Sequence, residues 1–287
     1  MTISMLDVQR VAVIGSGTMG SGIAQVAARA GYETALFDAA PGVAQKALER
    51  VGEALARAVE KGKCTAAERT QALGRLRPFT SLEEAAAFAD LVIEAAPEDL
   101  ELKKELFSRL SRAARSEAIL ASNTSSLPIT AIASAAKGPE RVIGLHFFNP
   151  VPVMKLLEIV QGERTAPLVV AAARAVGARL GKEVVVVRDA PGFATSRLGL
   201  ALSLEAMRMV EEGVASVEEI DRAIELGYGH PMGPLKLTDV VGLDVRLAIA
   251  EHLYAELGGR FRPPQLLRRM VRAGKLGKKA GEGFYKY

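Results

Sequence analysis

Val11-Ala12-Val13-Ile14-Gly15-Ser16-Gly17-Thr18-Met19-Gly20 decides the fold, because an apolar run enters a G-x-G-x-x-G and a helical pattern leaves it. Each glycine has its own reason. Gly15 permits a tight turn, Gly17 lets backbone N–H groups approach a pyrophosphate, and Gly20 lets helix and strand pack closely. Thr18 and Met19 open the helix, whose positive N-terminus faces the two phosphates. The helical pattern stops at Gly31, and Tyr32 to Phe37 reads as a second strand closed by Asp38. A carboxylate there accepts the ribose hydroxyls of NAD and repels the 2′-phosphate of NADP. Ala39, Ala40 and Pro41 offer no arginine to reverse that preference. NAD is therefore the expected dinucleotide, held by Gly15, Gly17, Thr18, Met19, Gly20 and Asp38.

Outward from this unit, short β-rich runs alternate with helical patterns over the first two-thirds of the chain, as in a mainly parallel sheet covered on both faces. Strands are expected at 10–15, 33–38, 76–79, 91–95, 119–122, 142–148, 156–160 and 183–187. Between Pro41 and Arg75, the residues Val43, Ala47, Val51, Leu55 and Val59 share one helical face, Gly62 breaks it, and Thr65-Ala66-Ala67-Glu68 forms a capping box. That pattern predicts an inserted helical hairpin. After Asp189-Ala190-Pro191-Gly192, β-rich runs give way to helices such as 198–212 and 217–226. The expected architecture is α/β: a Rossmann-type, mainly parallel sheet domain over 1–188, then an all-α C-terminal domain over 189–287. Leu198, Leu202, Leu204, Ala206, Met209 and Val210 make the first of those helices apolar over much of its circumference. Such a helix needs cover, so a homodimer through this domain is expected.

The 287 residues suffice for two domains at ~150 residues each. Charges of 37 Lys+Arg against 33 Asp+Glu leave +4, a modest basic excess spread along the chain. It suits anionic small molecules and implies no nucleic-acid partner. No apolar run approaches membrane-spanning length, and Met1 to Gln9 lacks the basic start and apolar stretch of a leader. The single cysteine, Cys64, lies in a polar stretch, so no internal disulfide framework exists and a reducing, cytoplasmic setting is expected. No metal site is expected.

Gly144-Leu145-His146-Phe147-Phe148-Asn149-Pro150 puts one of three histidines at a strand end. Met154-Lys155-Leu156-Leu157-Glu158-Ile159-Val160 puts a lone carboxylate in the next apolar strand. An unpartnered buried carboxylate costs several kcal/mol, so Glu158 needs a partner, and His146 is within reach if the strands are neighbours. A carboxylate on one ring nitrogen sets the tautomer and leaves the other as a proton acceptor, which makes a general base. The other two histidines read as structural: His230 precedes the turn Pro231-Met232-Gly233-Pro234, and His252 sits in a helical pattern.

Seven segments in order carry a family resemblance: 13–20, Ala121-Ser122-Asn123-Thr124-Ser125-Ser126-Leu127, 146–150, 154–156, Pro191-Gly192-Phe193, 230–234 and Gly281-Glu282-Gly283-Phe284-Tyr285. The chain resembles the short-chain L-3-hydroxyacyl-CoA dehydrogenases over essentially its whole length. The resemblance implies reversible oxidation of an L-3-hydroxyacyl-CoA thioester, such as 3-hydroxybutyryl-CoA, to the 3-ketoacyl-CoA with NAD. It matches His146 to the catalytic base, Glu158 to its orienting acid, and Ser125 to a serine that bonds the reacting 3-oxygen near the nicotinamide. Glu98, Lys103, Asn123, Asn149 and Lys279 match cofactor contacts, and Lys61 matches a lysine near the coenzyme A phosphates.

Two positions depart from the family pattern. Ser196 stands where an asparagine that helps hold the substrate is usual, which keeps a donor and an acceptor on a shorter side chain. Asp99 also replaces an asparagine. Two other readings share the glycine motif: a dehydrogenase of free 3-hydroxy acids with a lysine base, and an NAD-binding relative without turnover. The first lacks the pairing of His146 with Glu158, and the second has no use for it.

Overall fold

The computed structural model describes residues 7–287, so most of the segment Met1 to Gln9 read above lies outside the described residues. The elements of the first part are β1 Arg10–Ile14, α1 Thr18–Arg29, β2 Glu33–Phe37, α2 Val43–Glu60, α3 Ala66–Gly74, β3 Leu76–Phe79, α4 Leu82–Phe88 and β4 Leu91–Glu94. They continue as α5 Leu100–Ala113, β5 Ile119–Ser122, α6 Ile129–Ala133, β6 Val142–Phe147, β7 Leu156–Gln161, α7 Pro167–Arg179 and β8 Glu183–Arg188. The strands form one sheet of order β3-β2-β1-β4-β5-β6-β7-β8. All neighbours are parallel except β6 and β7. Central strands covered on both faces read as continuous apolar runs, and β4, β5 and β6 are buried at every residue. β8, at the edge, alternates between exposed and half-buried positions.

The strand order reverses direction between β1 and β4, and in such sheets a crevice opens beyond the carboxyl ends of those strands. The hairpin expected between Pro41 and Arg75 is α2 and α3. Its capping box is complete, with Thr65 Oγ1 accepting from Glu68 N at 3.1 Å and Thr65 N donating to Glu68 Oε2 at 2.6 Å. Ala44, Ala47, Val51 and Leu55 of α2 are buried and join the core beneath α1.

The chain divides into two compact units, one ending at Asp189 and one spanning Ala190–Tyr287. The second holds α8 Thr195–Glu211, α9 Val217–Tyr228, α10 Pro234–Val241, α11 Leu243–Leu257 and α12 Gln265–Arg272 around its own core of Leu200, Leu204, Met207, Leu235 and Leu253. The C-terminal glycine-rich segment is a clasp on that core. Buried Asp239 accepts from Phe284 N at 2.9 Å and Tyr285 N at 2.8 Å, and the Tyr285 hydroxyl donates to buried Asp221 at 2.8 Å. Burial and the Asp221 carboxylate raise the Tyr285 phenol well above its usual range. Position 283 must be glycine, because any β-carbon there would collide with the Asp239 carboxylate. Leu198 of α8 is 71 % exposed on the single chain, whereas Leu204 is buried.

Candidate active site

Two loops frame the crevice. The turn from β1 to α1 carries the three glycines, and the turn after β4 carries Ala95, Ala96 and Pro97; both line a cavity of about 520 Å³ together with Asp38. Gly15 adopts φ 102°, which a side chain would resist. A β-carbon at Gly20 would collide with the Gly15 carbonyl oxygen, so the close helix–strand packing read from the motif is present. Asp38 is anchored by its own backbone surroundings, accepting from Ser16 N at 2.8 Å and Ala40 N at 3.1 Å. No arginine or lysine stands among the described residues lining this cavity. These features fit NAD, with Asp38 on the adenine-side ribose and the N-terminus of α1 on the phosphates. The ratio of kcat/KM for NADH over NADPH is expected to exceed about 10², since the 2′-phosphate would meet an unbalanced carboxylate. Equal ratios would remove Asp38 from this role.

On its other side the glycine loop meets a second cavity of about 430 Å³, lined by Gly17, Thr18, Arg50, Asn149 and Pro150 among others. Asn149 and the loop thus share a wall. Arg50, on α2, donates to the Ser16 carbonyl at 2.9 Å and puts a cation beside the phosphate loop. No motif marks it, and the sequence reading missed it.

At the sheet's reversal a buried ion pair governs the neighbouring loops. Glu94 and Lys103 are 0 % and 1 % exposed, and the Lys103 ammonium donates to Glu94 Oε1 at 2.6 Å. Glu94 also accepts from Ala96 N and Ser122 Oγ, each at 2.6 Å. A buried pair holds only when its remaining hydrogen-bond capacity is filled, and here it is. Lys103, which the resemblance matches to a cofactor contact, is itself buried against Glu94. From the first turn of α5 its side chain turns inward. It acts through the Ala96 carbonyl, at 3.3 Å, and Glu98, at 3.5 Å. Glu94 was missed, although its setting in Leu91-Val92-Ile93-Glu94 is the same signal that singled out Glu158.

Glu98 gathers the loop after β5. Its Oε1 accepts from Thr124 Oγ1 at 2.7 Å, Ser125 N at 2.9 Å and Ser125 Oγ at 3.2 Å. Burial opposes its charge, but Thr124, the Lys103 ammonium and Ser125 outweigh burial and hold the carboxyl below the usual glutamate range. It is therefore ionised at neutral pH and fastens Ser125 by two atoms. Asn123 crosses to the next strand, accepting from Phe147 N at 2.9 Å, which ties the β5 loop to the end carrying His146. Asp99 caps α5, accepting from Leu102 N at 2.8 Å. Asn and Asp are nearly equivalent caps, so this departure from the family pattern keeps the helix start intact.

His146 and Glu158 are direct partners across the antiparallel β6–β7 pair. Directly opposite residues on such a pair share a face. Glu158 is 0 % and His146 6 % exposed, and Nδ1 lies 2.9 Å from Oε2. An ionised carboxylate can only accept, which places the proton on Nδ1 and the acceptor lone pair on Nε2. The Phe148 ring packs 4.3 Å from the imidazole between centroids and gives it an apolar flank.

Other candidate positions are less concentrated. Lys61 is the exposed C-cap of α2 at the hairpin tip. Ser196 and Lys279 belong to the second unit; Ser196 lies in the first turn of α8, and the Lys279 ammonium pairs with Asp244 at 2.6 Å. Among the described residues no three His, Cys, Asp or Glu side chains converge as metal ligands. No helix among them is long and apolar enough to cross a membrane.

Residues 10–190 match the family described as 3-hydroxyacyl-CoA dehydrogenase, NAD binding domain, and residues 192–287 match its C-terminal domain. The chain is similar to a probable 3-hydroxybutyryl-CoA dehydrogenase of Bacillus subtilis, 47 % identical over 283 residues and covering 98 % of each chain. A 3-hydroxyadipyl-CoA dehydrogenase of Escherichia coli is 46 % identical over 98 % of this chain and 59 % of its own length. The crystal structure of (S)-3-hydroxybutyryl-CoA dehydrogenase from Ralstonia eutropha superposes with a TM-score of 0.94 at 41 % identity, covering 98 % of this chain and 99 % of that one.

Proposed function

Because the chain belongs to the 3-hydroxyacyl-CoA dehydrogenase family, with both of its domains matched, we propose that it oxidises L-3-hydroxyacyl-CoA thioesters, 3-hydroxybutyryl-CoA among them, reversibly to 3-ketoacyl-CoA with NAD. The observation that carries this reading is the buried pair of His146 and Glu158, in register on adjacent strands and joined at 2.9 Å. NAD held by the glycine turn and Asp38 would supply the acceptor for the hydride that leaves C3. His146 Nε2 takes the hydroxyl proton, and Glu158, already bonded to Nδ1, stabilises the imidazolium that results. In reduction the same imidazolium returns its proton to the 3-oxygen. Ser125, held by Glu98, supplies a hydroxyl to that oxygen.

Supporting roles follow from the resemblance. Gly15, Gly17, Thr18, Met19, Gly20 and Asp38 hold the adenosine and phosphates, while Glu98, Asn123, Asn149 and Lys279 serve the nicotinamide half. Ser196 holds the substrate, its shorter side chain reaching through water where an amide would touch directly. Lys61 attracts the coenzyme A phosphates from the hairpin tip. The sheet unit is the nucleotide domain, and the helical unit is the substrate and dimerisation domain of a cytoplasmic homodimer. Leu198, Val240 and Val245, each more than two-fifths exposed on one chain, support that second copy.

The test is oxidation of NADH by acetoacetyl-CoA, with acetoacetate as the paired control. Turnover of the thioester and none of the free acid is expected. Equal use of acetoacetate, or no turnover of either, would contradict the proposal.

A further inference from the structure

Glu94 ends β4, fully buried, and its carboxylate reaches the loops that follow β4 and β5. Oε1 takes Ala96 N and the Lys103 ammonium, and Oε2 takes the Ser122 hydroxyl, each at 2.6 Å. Two paths lead from there to the loop that carries Ser125. The shorter passes through Ser122 Oγ, which accepts from Thr124 N at 3.3 Å. The longer passes through Lys103, whose ammonium stands 3.5 Å from Glu98 Oε2, while Glu98 Oε1 accepts from Thr124 Oγ1, Ser125 N and Ser125 Oγ. Glu98 thus gives one oxygen to the ammonium and the other to the loop. Glu94 and Glu98 share that one cation. Stability alone gives no reason for such a pair, because apolar residues of similar volume often match or better a buried ion pair. Its contacts are instead spread over the end of β4, the turn after it, α5 and the loop after β5, so the pair fixes their relative geometry.

We infer that Glu94 is a positioning residue for the dehydrogenase reaction: through Lys103 and Glu98 it fixes where the Ser125 hydroxyl meets the 3-oxygen of the substrate. This rests on the proposed function, in which Ser125 supplies a hydroxyl to that oxygen. With the Glu94 charge removed, the ammonium keeps Glu98 as its carboxylate, and Coulomb attraction draws Glu98 off the loop. In Glu94→Gln the amide carbonyl stays with Ala96 N, which can only donate, so the amide N–H₂ faces Ser122 and reverses that hydrogen bond. Both paths to the Ser125 loop are disturbed. The turn after β4 keeps its acceptor, and with it the wall of the nucleotide cavity at Ala95, Ala96 and Pro97.

The experiment measures kcat for reduction of acetoacetyl-CoA, NADH affinity by fluorescence titration, and melting temperature in Glu94→Gln, Ser125→Ala and the double variant. Ser125→Ala should lower kcat by roughly 10- to 100-fold, as for a hydrogen bond to developing charge. Glu94→Gln should lower kcat by about tenfold or more, with NADH affinity within about threefold of the wild type. Added to Ser125→Ala, it should cost no further turnover, because the hydroxyl it positions is gone. Losses that multiply in the double variant, or NADH binding weakened in proportion to kcat, would mark a crevice loosened as a whole and overturn the inference. The variant Glu94→Gln/Lys103→Met guards against a folding artefact. With both charges removed, the melting temperature should recover while kcat stays low. Recovery of both would mean that the pair only balances charge, which overturns the inference. If Ser125→Ala slows the reaction and Glu94→Gln does not, the dehydrogenase reading stands and the inference falls. A wild type that leaves acetoacetyl-CoA unreduced overturns both, and wild-type turnover in Ser125→Ala removes the role of Ser125 and the inference with it.

Discussion

His146→Gln is expected to lose roughly 10²- to 10⁴-fold in kcat for both directions of the reaction, the range typical of a positioned general base. Glutamine nearly fills the imidazole's volume and its amide donates to Glu158, so the buried carboxylate keeps a partner. What it lacks is a lone pair basic enough to hold the alcohol's proton. The loss should therefore fall on turnover, with NADH affinity unchanged, because the nucleotide loops are held by Glu94, Glu98 and the glycines. Steady-state reduction of acetoacetyl-CoA, beside a fluorescence titration with NADH, separates the two quantities. Turnover within tenfold of the wild type would remove His146 from the proton path.

Gly20→Ala should be nearly as severe, for a steric reason. Its methyl would run into the Gly15 carbonyl oxygen and stand 2.9 Å from the Gly15 carbonyl carbon. Gly15 is itself closely packed, since a β-carbon there would stand 2.6 Å from the Ala95 carbonyl oxygen. The loop must deform into the nucleotide cavity. Overpacking of this kind typically costs about 1–3 kcal/mol of stability, and a misaligned phosphate loop should weaken NADH by about 10² or more. Calorimetric titration and thermal melting check both; normal affinity in the variant would mean that the loop is not the phosphate cradle.

The sheet domain was legible because its strands are apolar runs punctuated by glycines and acidic ends, and its hairpin because a capping box and one apolar face mark it. The pairing of His146 with Glu158 was legible from energetics, since a carboxylate among Leu157, Ile159 and Val160 demands a partner. Glu94 gave the same signal, yet lay outside the reading. The pairing of Lys103 with Glu94 was not legible, because helix periodicity says which residues share a face but not that a lysine turns inward to a buried acid. Arg50 meets the glycine loop only through tertiary packing of the hairpin. Asp99 had no account in sequence and proved to be a helix cap.

The central claim is that imidazole and carboxylate act as one proton-accepting unit. It is tested most directly by a double-mutant cycle on kcat with His146→Gln, Glu158→Gln and the double variant. Each single change should slow the reaction, and the double variant should be no slower than His146→Gln alone, because Glu158 has nothing to stabilise once the base is gone. Losses that multiply in the double variant, or a Glu158→Gln enzyme with wild-type turnover, would contradict it.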